Sequence, residues 1–199
     1  NLTIMKKHFL ILIAAGFFSF SNAQDSKAYL GVGLGLSVPG GSALEDLKTG
    51  LNFKFIDFGY RFSENWGVTI GLDSSGFNVD EDSVDAAVGV ASLAIGPMYS
   101  VGLNETISWD IKPKYAFSIA GVVRGDDADL YDDAVWSGSG FILGNSIVFK
   151  STKGFAFSID LDYTFGKFKE IEFEGETYDL STNNKLNVLT LGAGVRYNF

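Results

Sequence analysis

The chain has 199 residues, room for one domain of ordinary size. It has no cysteine, which excludes a disulfide framework and thiolate metal sites, and its net charge of −9 excludes a nucleic-acid partner, since phosphate binding needs a basic face. With 18 Phe, 8 Tyr and 24 Gly against 3 Pro, the composition suits strands and turns better than helices.

Residues 1–23 read as a signal peptide, and residues 24–199 as the mature domain. Met5 is the expected start, with residues 1–4 an upstream extension of the reading frame. Lys6, Lys7 and His8 form a basic n-region, and residues 9–18 (FLILIAAGFF) an apolar h-region. Ser21 and Ala23 place small residues at −3 and −1, so cleavage is expected before Gln24. The apolar run is too short to cross roughly 30 Å of hydrocarbon as a helix. No cysteine follows it, which excludes a lipoprotein. Losing Lys6 and Lys7 moves the net charge from −9 to −11.

From Gln24 onward, alternation with period 2 dominates. Residues 28–36 set Leu30, Val32, Leu34 and Leu36 against Gly31, Gly33 and Gly35. Residues 51–62 alternate with one break, because Leu51, Phe53 and Phe55 are out of phase with Phe58, Tyr60 and Phe62. A β-bulge near Phe55–Ile56 reconciles them. Residues 66–77 oppose Trp66, Val68, Ile70 and Leu72 to Gly67, Thr69, Gly71 and Asp73. Residues 87–101 oppose Leu93, Ile95, Pro97, Tyr99 and Val101 to Ser92, Ala94, Gly96, Met98 and Ser100. In residues 107–119, Trp109, Ile111, Pro113, Tyr115, Phe117 and Ile119 oppose Asp110, Lys112, Lys114 and Ser118. Residues 139–150 give Phe141, Leu143, Ile147 and Phe149 one face. In residues 155–166 a face of Phe155, Phe157, Ile159, Leu161, Tyr163 and Phe165 opposes Ser158, Asp160 and Asp162. The last segment, 189–199, ends Val195-Arg196-Tyr197-Asn198-Phe199.

Eight segments result, joined alternately by short turns (63–65, 102–105, 151–154) and longer loops (37–50, 78–86, 121–138, 169–185). Short and long links therefore fall at opposite ends, as in outer-membrane barrels. The predicted fold is all-β: an eight-stranded antiparallel up-and-down transmembrane β-barrel. The polar face is mostly Gly, Ala, Ser and Thr, which suits the narrow lumen of eight strands better than a solvated exterior. The ring-bearing face then meets lipid. Tyr60, Phe62, Trp66, Trp109, Phe155, Tyr197 and Phe199 are expected as an aromatic girdle at the short-turn end, with Phe53, Phe117, Phe141 and Phe165 at the other. Closure requires the first and last strands to pair, which satisfies the backbone groups the bilayer cannot.

The leader, eight alternating segments, loop asymmetry and aromatic C-terminal strand resemble the outer-membrane protein β-barrel domain family, whose small barrels include the OmpA transmembrane domain, OmpX and OmpW. The resemblance implies outer-membrane lipid as surroundings. It also implies that Tyr197 and Phe199 serve as the signal read by the barrel-assembly machinery.

The predicted inward charges are Lys54, Arg61, Lys112, Lys114, Lys150 and Arg196 against Asp57, Asp73, Asp110, Asp160 and Asp162. Buried charges must pair, so Asp57, Arg61, Asp110, Lys112, Lys114, Asp160, Asp162 and Arg196 are expected to form an ionic network filling the lumen. Asp160 and Asp162 share a face and could instead be an acid/base pair. The only histidine is His8, in the leader, so the expected mature chain carries no Ser–His, Asp–His or Cys–His machinery. Gly31-Val32-Gly33-Leu34-Gly35 opens no helix and fails as a phosphate loop.

The long loops are acidic, with Asp80, Glu81, Asp82 and Asp85 in the second. Asp126, Asp127, Asp129, Asp132 and Asp133 crowd the third and are weak candidates for a divalent metal. In the fourth, Glu170-Ile171-Glu172-Phe173-Glu174 alternates and could prolong its strand as a protruding ribbon. These features point to a non-enzymatic, monomeric barrel without cofactor. Its role would be structural, or surface interaction through the acidic loops with a surface ligand. The alternatives are a passive transporter of small apolar molecules of the OmpW kind and an outer-membrane enzyme without a histidine base. The transporter would need a hydrophobic cavity toward the long loops, where the inner face is expected to be polar and filled.

Overall fold

The computed structural model describes residues 27–79, 86–125, 134–151, 154–173, 175–180 and 184–199. The expected leader and cleavage site lie outside the described residues. So do Asp80, Glu81, Asp82, Asp85, Glu174 and the five candidate metal ligands Asp126, Asp127, Asp129, Asp132 and Asp133.

Among the described residues the chain forms nine strands: β1 (Ala28–Gly40), β2 (Gly50–Arg61), β3 (Trp66–Asn78), β4 (Ala86–Gly102), β5 (Ile107–Gly125), β6 (Val135–Lys150), β7 (Phe155–Phe173), β8 (Glu176–Asp179) and β9 (Lys185–Asn198). Chain neighbours from β1 to β7 pair antiparallel, and β7 pairs with β9. β9 returns to β1 from Tyr29↔Asn198 to Gly40↔Asn187. That last ladder closes a ring of eight strands, so no transmembrane strand keeps an open edge. The ninth strand, β8, hangs on the upper end of β7 from Glu170↔Asp179 to Phe173↔Glu176. The alternating run at residues 170–173 thus does prolong its strand into a ribbon.

The alternation fixes which side faces out. Phe157 and Leu191 are each 58% exposed, whereas Arg196 is 1% and Lys112 0% exposed. Most rings and aliphatic chains point away from the barrel axis, and the ionic side chains at mid-strand point toward it. Along β7, Phe155 and Phe165 stand ten residues apart. That is about 33 Å of strand, or about 25 Å of height at a tilt near 40°, the thickness of a lipid-facing apolar band. Leu191 and its β7 partner Leu161 lie midway. Replacing Leu191 with Arg is therefore expected to lower stability in vesicles by about 2–4 kcal/mol. Urea titration monitored by tryptophan fluorescence checks this, and no loss would contradict an outward Leu191.

Three irregularities shape the wall. The β2–β3 register shifts between Lys54 and Ile56, placing the expected bulge at Phe55. A second bulge lies between Ala116 and Ile119 on β5, and a third at Lys169 on β7, where the β6 register shifts between Ser137 and Gly138. The β4–β5 ladder also lacks pairs between Ile95↔Tyr115 and Tyr99↔Ile111. Pro97 and Pro113 oppose each other there, and neither has an N–H to donate.

The lumen holds two layers. Polar and charged groups fill its middle and the short-turn half. Toward the long loops it is apolar, contrary to the expected polar inner face. Phe77, Val90, Ile119, Ile142, Phe168, Leu186 and Val188 pack there as one buried cluster. Ile119, expected outward with Phe117, turns inward because the bulge leaves both Phe117 and Ser118 exposed. The first long loop is not wholly external, since it folds inward and seats buried Leu44 in the cluster. Hydrogen bonds from Ala43 N–H to the Lys185 carbonyl (3.0 Å) and from Leu44 N–H to the Gly41 carbonyl (3.1 Å) hold it there.

Candidate functional site

Arg196, on β9, is the hub of the polar layer. Its Nη1 donates to Asp110 Oδ2 at 2.7 Å, and its Nη2 lies 3.2 Å from Asp57 Oδ2 and 3.6 Å from Asp160 Oδ1. One planar guanidinium thus ties together carboxylates from β2, β5 and β7, a reach that suits Arg rather than Lys. Its Cζ sits 4.5 Å from the centroid of the Tyr29 ring, a cation–π contact in a buried setting. Tyr29 donates its hydroxyl to Asp57 at 3.3 Å.

Each carboxylate has further partners. Asp57 lies 3.3 Å from Lys112 Nζ. Asp110 lies 3.6 Å from Arg61 Nη2 and accepts from Ser100 Oγ at 2.7 Å. Asp160 accepts from Ser146 and Ser158, and Lys54 Nζ approaches it at 3.4 Å. The same Lys54 lies 3.0 Å from Asp162. Asp160 and Asp162 thus share one cation.

Glycines make the space. A Cβ at Gly31 would come within 2.9 Å of Arg196 Cγ, one at Gly194 within 2.8 Å of Ser158 Oγ, and one at Gly59 would collide with the Tyr29 ring.

Of the residues expected in the network, Asp57, Arg61, Asp110, Lys112, Asp160, Asp162 and Arg196 are joined, together with Lys54. Lys114 is buried but stands apart, without an ion pair among the described residues. Strand stagger raises it above the web, where its Nζ would lie 3.2 Å from a Cβ on Gly71. Asp73 accepts instead from Ser92 at 3.0 Å. Lys150, expected inward, is exposed at the short-turn mouth. That mouth opens into a cavity of about 630 Å³ lined by Lys27, Arg61, Glu64, Lys150 and Arg196. Tyr29 escaped the sequence reading, although the phase of Gly31, Gly33 and Gly35 places it inward.

The expected girdle residues Tyr60, Phe62, Trp66, Trp109, Phe155 and Tyr197 are exposed on the outer wall. Phe199 stacks on Tyr197 at 6.3 Å and Phe155 meets Tyr197 edge-on at 5.1 Å. At the other end Phe141 stacks on Phe165 at 5.8 Å.

A closed ring with lipid-facing aromatics and a paired ionic interior defines a transmembrane β-barrel of the bacterial outer membrane. The chain belongs to the outer membrane protein beta-barrel domain family, which matches residues 10–199. No curated protein matches it. Among solved structures it is similar to Neisserial surface protein A (TM-score 0.57, 14% identity, covering 86% of this chain and 97% of that one). It is also similar to Ail of Yersinia pestis in complex with the heparin analogue sucrose octasulfate (TM-score 0.50, 20% identity, 87% and 100%). A third is a major outer membrane protein of Thermus thermophilus (TM-score 0.50, 15% identity, 86% and 99%). At these identities the likeness is one of fold.

Proposed function

We propose that this barrel is a closed, non-enzymatic scaffold that presents its loops and the β7–β8 ribbon at the cell surface. The observation that carries this reading is the Arg196 hub: one buried guanidinium binds carboxylates from three strands, and the apolar cluster seals the lumen above it. Between the short-turn mouth and the long loops the lumen is packed, and Asp57, Asp110, Asp160 and Asp162 are each held by a cation. In planar bilayers the refolded protein should show no steady conductance, whereas steady openings of about a nanosiemens would overturn the plugged reading.

The ribbon supports contact with a surface ligand. β8 pairs only with β7 among the described residues, so its second edge is open to an added strand. Tyr178 is exposed on it, and its hydroxyl donates to Glu176 at 2.6 Å. A polyanion such as the sulfated sugar bound to Ail suits these acidic loops poorly, so a neutral or basic ligand fits better. The chain is proposed to act as a monomer, and Tyr197 and Phe199 to carry the assembly signal.

Transport of small apolar molecules is the second reading, favoured by the apolar upper lumen. The filling of that space by Phe77, Ile119 and Leu186 argues against it.

A further inference from the structure

The outer wall carries a cluster of cations that the lumen does not explain. Lys167 on β7 and Lys185 on β9 are direct cross-strand partners, and both are exposed on the outward face. Lys169 follows at the β7 bulge and lines the same groove, of about 530 Å³. Like charges directly opposite one another on a sheet repel. Among the described residues no carboxylate lies within ion-pairing distance of any of the three. In a chain of net charge −9, this is a local concentration of positive charge without an ion pair among the described residues.

Height indicates which kind of anion fits these cations. The groove is lined on the membrane side by Tyr115, Phe141 and Phe165, members of one cross-strand row. Lys167 is the next outward residue above Phe165, and Ser139 the next above Phe141. Two residues of tilted strand rise about 5 Å, which puts the ammonium groups in the headgroup layer just outside the hydrocarbon. The long-loop end faces outward in such barrels. An anion that lies there with apolar chains beneath it is a lipid phosphate.

We propose that Lys167, Lys169 and Lys185 bind the phosphate groups of a phosphorylated glycolipid of the outer leaflet, whose acyl chains lie along Tyr115, Phe141 and Phe165. The site would anchor one side of the barrel to a particular lipid and offset the Lys167–Lys185 repulsion. It is independent of whether the lumen is plugged.

The test uses the refolded full chain in micelles and native mass spectrometry with bisphosphorylated lipid A. The controls are the same lipid with both phosphates removed, and inorganic phosphate in large excess. Lipid A should be retained at least about tenfold better than its dephosphorylated form, since charge-assisted phosphate contacts are the strong ones. The variant Lys167→Gln/Lys169→Gln/Lys185→Gln should lose that preference, and Lys150→Gln at the opposite rim should keep it. A heat-dependent gel shift verifies that each variant is folded, and the comparison of the two lipids on the unaltered chain needs no variant. Equal retention of both lipids would overturn the proposal. So would a preference that survives in the triple variant. Displacement by inorganic phosphate would reassign the site to a free anion and overturn the lipid assignment.

Discussion

Arg196→Met is expected to lower the unfolding free energy by about 3–5 kcal/mol, the usual cost of removing one partner from a buried charge cluster. The loss does not come from one hydrogen bond. Without the guanidinium, Asp57 keeps Lys112 at 3.3 Å, Asp110 keeps Arg61 at 3.6 Å, and Asp160 keeps Lys54 at 3.4 Å. Four carboxylates, counting Asp162 on Lys54, then share three cations that were already engaged, and the layer becomes more negative by one unit. Arg196→Lys should recover only part of the loss, because a compact ammonium cannot reach three carboxylates at once. Arg196→Met combined with Asp110→Asn should cost less than the two changes added separately, since each removes the other's partner. Urea titration in vesicles, followed by the fluorescence of the three tryptophans, measures all of these. An Arg196→Met barrel within about 1 kcal/mol of the parent would mean that the network is not what holds the lumen closed.

Most of the wall was legible because period 2 is a local property. Outward Leu34, Phe157 and Leu191 and inward Asp57, Asp110 and Arg196 could be assigned from their immediate neighbours, and the phase break at residues 55–56 announced its own bulge. The phase was lost where a bulge followed without such a mark. Extrapolating the alternation through Phe117 and Ser118 sends Ile119 the wrong way, because one extra residue reverses every side chain beyond it. Phe168, just before the Lys169 bulge, lies past the segment 155–166, and Phe77 closes the segment 66–77 beyond Asp73, the last inward position named on it. For that reason the apolar layer went unseen and the lumen looked polar throughout.

Depth was harder than direction. Strand stagger sets which inward residues meet, and stagger is a property of the closed ring rather than of any one strand. Nothing in the local sequence of β5 distinguishes Lys112, which reaches Asp57, from Lys114, which does not. Nor does the pattern of residues 37–50 reveal that Leu44 folds back into the mouth, since a loop carries no period to read.

Phe77→Ala should cost about 3–5 kcal/mol, comparable to the loss at Arg196 but by a different route. Phe77 is 1% exposed inside the apolar cluster, and a Cβ at Gly50 on the adjoining strand would lie within 2.7 Å of its ring. Truncation removes the transfer energy of the ring and leaves a void that β-strands locked in a closed ring collapse onto poorly, so the cavity contribution stays large. Phe77→Leu, which keeps much of the buried volume, should cost clearly less. Because the two layers close the lumen in series, neither Phe77→Ala nor Arg196→Met alone is expected to conduct in a planar bilayer, even though each weakens the fold. Steady conductance from Phe77→Ala would show that the apolar layer alone seals the barrel and that the ionic layer below passes ions. Silence from both variants, with both stabilities reduced, is the result expected of two independent seals.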